Sequence, residues 1–568
     1  MKESKMRLCL ISLLTLMWSL HPLNIESVLF TSNWSSILTY SLCLTLLLYL
    51  VNSKMERFSI FNFLFVFIFY LIPLFNSEYA VTLPIVLFFY AFTNHKFLNP
   101  ASSSIAALNI ALKKTLPLIL GLFVFILIFM SSPTKTNIHN ADVNSAYLIQ
   151  ERIFWFSPQV FFHYIKLILF PVHLSIDQTM MVSFSKTLLT PYAIFCTTFL
   201  YLLVLILILS FVLIQKKHFF FIFTSFSYFL ISLLPFLHIV SPVYCISSER
   251  YLYFPLFMLI LGLSHLIFFL FSKNSTRSWH TPILIFLVAL LSILTTRAYL
   301  RTLDWKDSIS LFTSALKEAP NDLFKGLRLE ILGSILTTYS NDEESQIKGV
   351  QYLNEAIKTL EKSLINLEYE KQKYQDKLPQ IIKVYGLDPK TIQAKTAYLL
   401  SFTRLGLLGD VKTAYELLKP YMQDLSIIDT QILDLYSGLL FNTQNFGEAE
   451  ILLNHAVKNK LNPTILIPLS SLARYKYNDL SQAEKYLEES FKYFPYDIQT
   501  LSNLRGFYKD INKTDKFALY SYLYGIRTHS EDAVQDALNA FKESNNIEMA
   551  QKITKNIILK KKNVKKEN

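Results

Sequence analysis

The sequence predicts an all-α chain: a polytopic helical membrane domain over residues 1–300, an α-solenoid over 301–558 and a short basic tail at 559–568. Three observations carry that reading. Apolar residues make up 52% of the 568 and mean hydropathy is +0.34, too apolar for a single soluble globule. Charge is unevenly divided, with 18 Lys/Arg and 8 Asp/Glu in residues 1–300 against 36 and 34 in the remainder. Near residue 301 the continuous apolar runs give way to amphipathic stripes of helical period.

A helix needs about 20 residues to cross a hydrocarbon core of roughly 30 Å, fewer where interfacial residues help. Apolar runs near 7–20, 28–51, 58–75, 79–93, 116–131, 190–214, 219–240, 252–271 and 281–298 give nine candidate spans, the first and fourth of them short. The first run follows Lys2, Lys5 and Arg7 as a signal peptide would, but no small-x-small cleavage site comes after it, so it is taken as a span. Cytoplasmic loops retain Lys and Arg. With the N-terminus inside, 12 of the 18 cations of this half fall on the inner side, from Lys2 and Lys54 through Lys216 and Lys217 to Lys273 and Arg277. A tenth apolar stretch, Phe154 to Leu174, is interrupted by Pro158, His163, Lys166, Pro171 and His173 and is expected to be re-entrant or interfacial. The repeat half then lies outside the cytoplasm.

The basic total does not imply nucleic acid, because its cations sit in short loops between apolar runs rather than on one folded surface. The four cysteines offer no CxxC pattern or disulfide framework, and the hydrophilic half has none. No metal site or cofactor motif is expected: HExxH and GxSxG are absent, there are only 12 Gly for phosphate loops, and His95, His238 and His265 stand singly.

The same topology gathers three polar loops on the outer face: His21 to Ser27, Asn76 to Tyr79, and Ser247 to Pro255. Ionisable residues at span ends are costly unless paired or wet, so Glu26, Glu78, Glu249 and Arg250 are candidates for function. Arg250 between tyrosines suits a phosphate headgroup, since a guanidinium pairs two oxygens at once. An arginine snorkelling in an aromatic belt with Tyr244, Tyr251 and Tyr253 is the alternative.

Motifs in these loops carry a resemblance. Trp18-Ser-Leu-His-Pro-Leu-Asn-Ile-Glu-Ser-Val28, Ser77-Glu-Tyr-Ala-Val-Thr-Leu-Pro84, His163-Tyr-Ile-Lys-Leu-Ile-Leu-Phe-Pro-Val-His-Leu-Ser175 and Glu249-Arg-Tyr-Leu-Tyr-Phe-Pro255 occur in this order. They resemble elements of the transmembrane and tetratricopeptide-repeat protein O-mannosyltransferases and their bacterial relatives. The resemblance implies a C-type membrane glycosyltransferase. Such an enzyme moves a sugar, for example mannose, from a polyprenyl- or dolichyl-phosphate carrier to a protein acceptor on the outer side. It places Glu249, Arg250 and Tyr251 near the lipid phosphate, with His21, Glu26 and Glu78 lining the same cavity. The family's acidic pair, usually taken as the catalytic base, lies upstream of the His-Pro element. Here only Glu3 precedes His21. The expectation is therefore a shortened sequence, a non-catalytic relative, or a substitute acid among Glu26, Glu78, Asp142 and Asp177. A membrane-anchored scaffold for protein partners is the competing reading.

In the second half Ala414, Ala449, Ala483 and Ala518 recur 35, 34 and 35 residues apart. That is the tetratricopeptide period, in which small residues let paired helices approach. Six or seven irregular units of a tetratricopeptide-repeat α-solenoid are expected, poorest near 359–395, where Leu360 to Lys377 reads as a long solvated helix. The concave face of such a solenoid would take a peptide or partner protein.

Overall fold

The computed structural model describes residues 2–52, 60–99, 101–131, 149–182, 190–212, 217–239, 245–272, 280–340, 342–374, 388–423, 430–458 and 465–555. Among these every regular element is helical and there is no strand. The basic tail lies outside them. The chain divides into two compact units, Met1–Pro389 and Lys390–Asn568. The sequence boundary at 300 falls inside the first, within a helix that runs through it.

In the first unit the nine apolar runs coincide with helices: α1 (Lys2–Ser19), α3 (Trp34–Asn52), α4 (Ile60–Asn76), α5 (Leu83–Leu98), α6 (Ser104–Ser131), α8 (Pro191–Val212), α9 (Lys217–Leu233), α10 (Tyr253–Ser272) and α11 (His280–Asp304). Between them sit the short α2 (Asn24–Leu29) and α7 (Ser157–Leu169). Among the described residues four helical segments are long and apolar enough to cross a membrane: Thr31–Asn52, Ser104–Ile128, Pro191–Ser210 and Thr281–Asp304. Leu8–Ser19, Ile60–Asn76 and Phe226–Leu237 are apolar but shorter. Outward faces stay apolar, as at Ile60, Phe61, Ile285, Phe286 and Ile293, a surface that water disfavours. The interrupted tenth stretch forms a π-turn at Arg152–Phe156 and then α7, only 13 residues long. Most of α7 is buried, with Val160, Phe161, Tyr164 and Leu167 in the main core.

Among the described residues three further helices follow in this unit: α12 (Ser308–Lys317), α13 (Asp322–Tyr339) and α14 (Glu343–Tyr374). Gly333 and Gly349 allow α13 and α14 to touch, because a Cβ on Gly333 would stand 2.6 Å from Leu353 Cγ and 3.0 Å from the Gly349 carbonyl. The 32-residue α14 covers most of the run read as one elongated helix.

The second unit is a succession of helix hairpins, α15 (Pro389–Leu408) with α16 (Val411–Leu418), α17 (Thr430–Asn442) with α18 (Phe446–Lys458), α19 (Leu466–Tyr475) with α20 (Leu480–Tyr493), and α21 (Ile498–Asp510) with α22 (Thr514–Thr528), followed by α23 (Glu531–Glu543). Left-handed backbone recurs at Gly409, Gln444, Asn478, Asn512 and Asn545, spaced 35, 34, 34 and 33 residues apart, and His529 adds a left-handed turn outside that spacing. Glycine and asparagine tolerate that conformation best, and it turns the chain while capping carbonyls at a helix end. Asn445 N–H donates to Leu440 O at 2.8 Å, Lys513 to Tyr508 at 3.0 Å and Asn546 to Phe541 at 2.9 Å, repeating one cap. Ala414, Ala449, Ala483 and Ala518 are all fully buried.

Candidate functional site

The polar segments singled out in the sequence meet in the first unit. A 3-10 turn, Glu249–Leu252, holds Glu249 and Arg250 in succession. At three residues per turn, neighbouring side chains diverge, so the two cannot pair with each other. Each takes a partner from elsewhere in the chain.

Arg250 pairs with Glu26 of α2, its Nη1 donating to Oε1 at 2.6 Å. Ser248 Oγ donates to the same oxygen at 3.0 Å, and the Arg250 backbone N–H to Oε2 at 3.2 Å. Glu26 is fully buried and accepts three hydrogen bonds from one loop. Burial pushes its pKa up, while Arg250 and the Ser248 hydroxyl pull it back. Arg250 keeps 15% of its side chain exposed, with Nη2 donating to Cys245 Sγ at 3.4 Å and the guanidinium 5.2 Å from the Tyr251 ring centre and 5.9 Å from that of Phe30. Burial works against its charge, yet Glu26 outweighs burial and the pKa rises.

Glu249 turns the other way. Its Oε1 accepts from Arg301 Nη2 of α11 and from Gln178 Nε2, each at 3.1 Å. Both Glu249 and Arg301 are wholly buried. Desolvation raises the Glu249 pKa against the pull of Arg301, and Glu26 nearby adds to the rise. Each buried carboxylate thus has a guanidinium against it, which makes its burial tolerable, and Asp304 lies 3.1 Å from Arg301 Nη1 at the edge of the cluster.

His21 precedes α2. Its Nδ1 accepts the Leu23 N–H at 3.3 Å, which leaves Nε2 as the protonated nitrogen facing Ile168 O at 3.3 Å. Burial lowers its pKa to about 4, partly offset by that carbonyl. Tyr251 is buried and stacks on Phe236 with ring centres 4.5 Å apart. The Asn76 to Tyr79 segment joins through Tyr79, whose hydroxyl donates to the Arg250 carbonyl at 3.4 Å. Glu78 begins the 3-10 turn Glu78–Thr82, but its side chain is outside the described residues, as is Asp142.

Sequence reasoning missed Arg301, Gln178, Arg297 and Arg328. Arg297 Nε and Nη2 donate to the carbonyls of Pro171 and Val172 at 3.1 and 2.7 Å, and Arg301 Nη1 reaches Leu174 O at 3.4 Å. One face of α11 therefore straps down the segment that follows α7. Buried Arg328 of α13 lies 3.7 Å from Asp177 of that segment and 5.2 Å from the Phe324 ring centre. The available signal was the four-residue spacing of Arg297 and Arg301 at the end of an apolar run, which puts two cations on one helix face.

Arg250 is the guanidinium of the cluster that keeps part of its side chain exposed, 15% against 1% for Arg301. Glu26 accepts from three donors, and two of these bonds, from the Arg250 backbone N–H and guanidinium, fix the orientation of that guanidinium. Among the described residues, no group of three His, Cys, Asp or Glu is placed to hold a metal ion. No protein-family model matches the chain, and no curated protein matches it either.

Proposed function

We propose that this chain is a membrane glycosyltransferase-like protein of the transmembrane and tetratricopeptide-repeat O-mannosyltransferase type. In this reading the apolar helices of the first unit lie in a bilayer and a polyprenyl- or dolichyl-phosphate-linked sugar, mannose among the candidates, docks with its phosphate against Arg250. The sugar passes to a protein hydroxyl on the extracytoplasmic side. The hairpins of the second unit are tetratricopeptide repeats that hold the acceptor, a reading supported by left-handed turns and buried alanines at a period near 34 residues.

The observation that carries the reading is convergence. Glu26, Tyr79, Gln178, Arg250 and Arg301 come from five distant segments, and all join one hydrogen-bonded cluster. A leaving phosphate gains charge, and a pre-oriented guanidinium stabilises it. Glu26 positions Arg250, whereas Arg301 and Gln178 position Glu249; none of these three positioning residues is assigned the role of proton acceptor.

A second reading, a non-catalytic membrane-anchored repeat scaffold for envelope proteins, is favoured by the same pairing: each of the two buried carboxylates already has its guanidinium. Full-length protein in lipid nanodiscs, titrated with radiolabelled polyprenyl-phosphate mannose, separates the two. The transferase reading expects saturable binding that falls at least tenfold in Arg250→Gln and recovers partly in Arg250→Lys, with all three proteins monodisperse. Absence of binding, or equal binding by Arg250→Gln, would remove it and leave the scaffold.

A further inference from the structure

A small cavity in the second unit has a chemistry of its own. It encloses about 270 Å³ and is lined by Asp434, Gly438 and Phe441 of α17, Ser471 of α19, and Gln499 and Asn503 of α21. Gln499 Nε2 donates to Asp434 Oδ2 at 2.5 Å, so α21 reaches α17 directly and bounds the space on that side. The volume is that of about nine liquid waters, enough for one small molecule and too little for a length of chain.

Gly438 keeps the cavity open. It lies inside α17, four residues after Asp434 and therefore on the same helix face. Glycine weakens a helix relative to alanine, because it has more conformational freedom to lose. Close packing does not require it here, since a Cβ added at Gly438 would meet nothing within 4 Å, whereas one at Gly333 would strike Leu353. The missing side chain instead leaves room beside Asp434.

The wall combines a carboxylate, two carboxamides, a hydroxyl and an aromatic ring. Gln499 occupies only Oδ2 of Asp434, and among the described residues no lysine or arginine pairs with that carboxylate. Asn503 Nδ2 is held by the Gln499 carbonyl at 2.8 Å, which presents its Oδ1 as an acceptor. An ammonium ligand would use Asp434 and leave the amides idle. A polyol uses them all, because adjacent hydroxyls donate to a carboxylate while carboxamides and Ser471 both donate and accept. A pyranose adds C–H groups that pack on an aromatic surface such as Phe441, and one ring displaces about six waters, so a single ring fits and a second does not. We propose that this cavity binds one pyranose unit, with Asp434 accepting from its hydroxyls and the ring seated in the room that Gly438 leaves. The proposal goes beyond the lipid-phosphate reading and does not depend on it.

So small a ligand binds at about millimolar strength, a range that saturation-transfer NMR reads on full-length protein in lipid nanodiscs. The probes are the methyl pyranosides of mannose, glucose and galactose. At least one should receive saturation from the wild type. Its dissociation constant should rise at least tenfold in Gly438→Leu, which fills the cavity while keeping every polar group, and in Asp434→Ala, which keeps the space and removes the acceptor. Helical circular dichroism of both variants should match the wild type. Saturation of none of the three probes, or unchanged affinity in either variant, overturns the proposal. So does displacement of the pyranoside by an equal concentration of butylammonium, because the cavity would then be a cation pocket. A pyranoside signal abolished by Arg250→Gln would belong to the first unit and overturns it equally. Polyprenyl-phosphate binding, titrated on the same discs, reports on the first unit, so the cavity and the lipid site fail separately.

Discussion

Removing Arg301 tests the buried cluster most directly. Arg301 is wholly buried, and its guanidinium reaches Glu249, Asp304 and the Leu174 carbonyl. In Arg301→Gln the Glu249 carboxylate stays buried with Gln178 as its donor and no cation beside it. Breaking a buried pair from one side costs about 3–5 kcal/mol, a large share of the about 5–15 kcal/mol that holds a typical domain together. Glu249→Gln should cost less, since a neutral amide needs no counter-charge and Arg301 keeps Asp304. The double variant Glu249→Gln/Arg301→Gln should then be more stable than Arg301→Gln alone, with a coupling of about 1–3 kcal/mol. Denaturant unfolding of the detergent-solubilised protein, followed by helical circular dichroism, reads all four corners of the cycle. Strict additivity, or an Arg301→Gln loss within about 0.5 kcal/mol of wild type, would refute the claim that this pair holds α11 to the 249–252 turn.

Two glycines should respond with opposite signs. Gly333→Ala forces a Cβ to within 2.6 Å of Leu353 Cγ and should lose about 1–3 kcal/mol by overpacking. Gly506, inside α21 with nothing within 4 Å of an added Cβ, should instead gain about 0.5–1 kcal/mol as alanine through helix propensity; the same denaturation measurement checks both. His21 makes the fold acid-sensitive. Its folded pKa of about 4 lies below the ordinary 6.5, so the unfolded chain takes up the proton first. Its contribution is intact above pH 6.5 and is lost as pH falls toward 4, by about 3 kcal/mol at most. His21→Gln, which cannot titrate, should flatten stability across that window, and an unchanged acid slope would show that other groups set it.

Much of the architecture was legible because it depends on local pattern. A long apolar run favours a helix in most surroundings, and all nine runs formed one, although among the described residues four segments have both the length and the apolarity to cross a membrane. The period near 34 residues was visible in alanines and returned in turns that the alanines alone do not specify, at Gln444, Asn478 and Asn512. The Phe154 to Leu174 stretch was interpretable through its prolines and cations, and it folded as a short buried helix.

The site was legible only as a set of names. That His21, Glu26, Glu249 and Arg250 belong at one end of the apolar helices followed from loop order alone. What each one does followed from partners far away in sequence: Glu26 is 224 residues from Arg250, and Glu249 is 52 from Arg301. The residue order shows which groups are expensive to bury, because desolvation cost belongs to the side chain itself. Only the tertiary structure decides which opposite charge offsets that cost, since Coulomb attraction depends on distance through space and not along the chain.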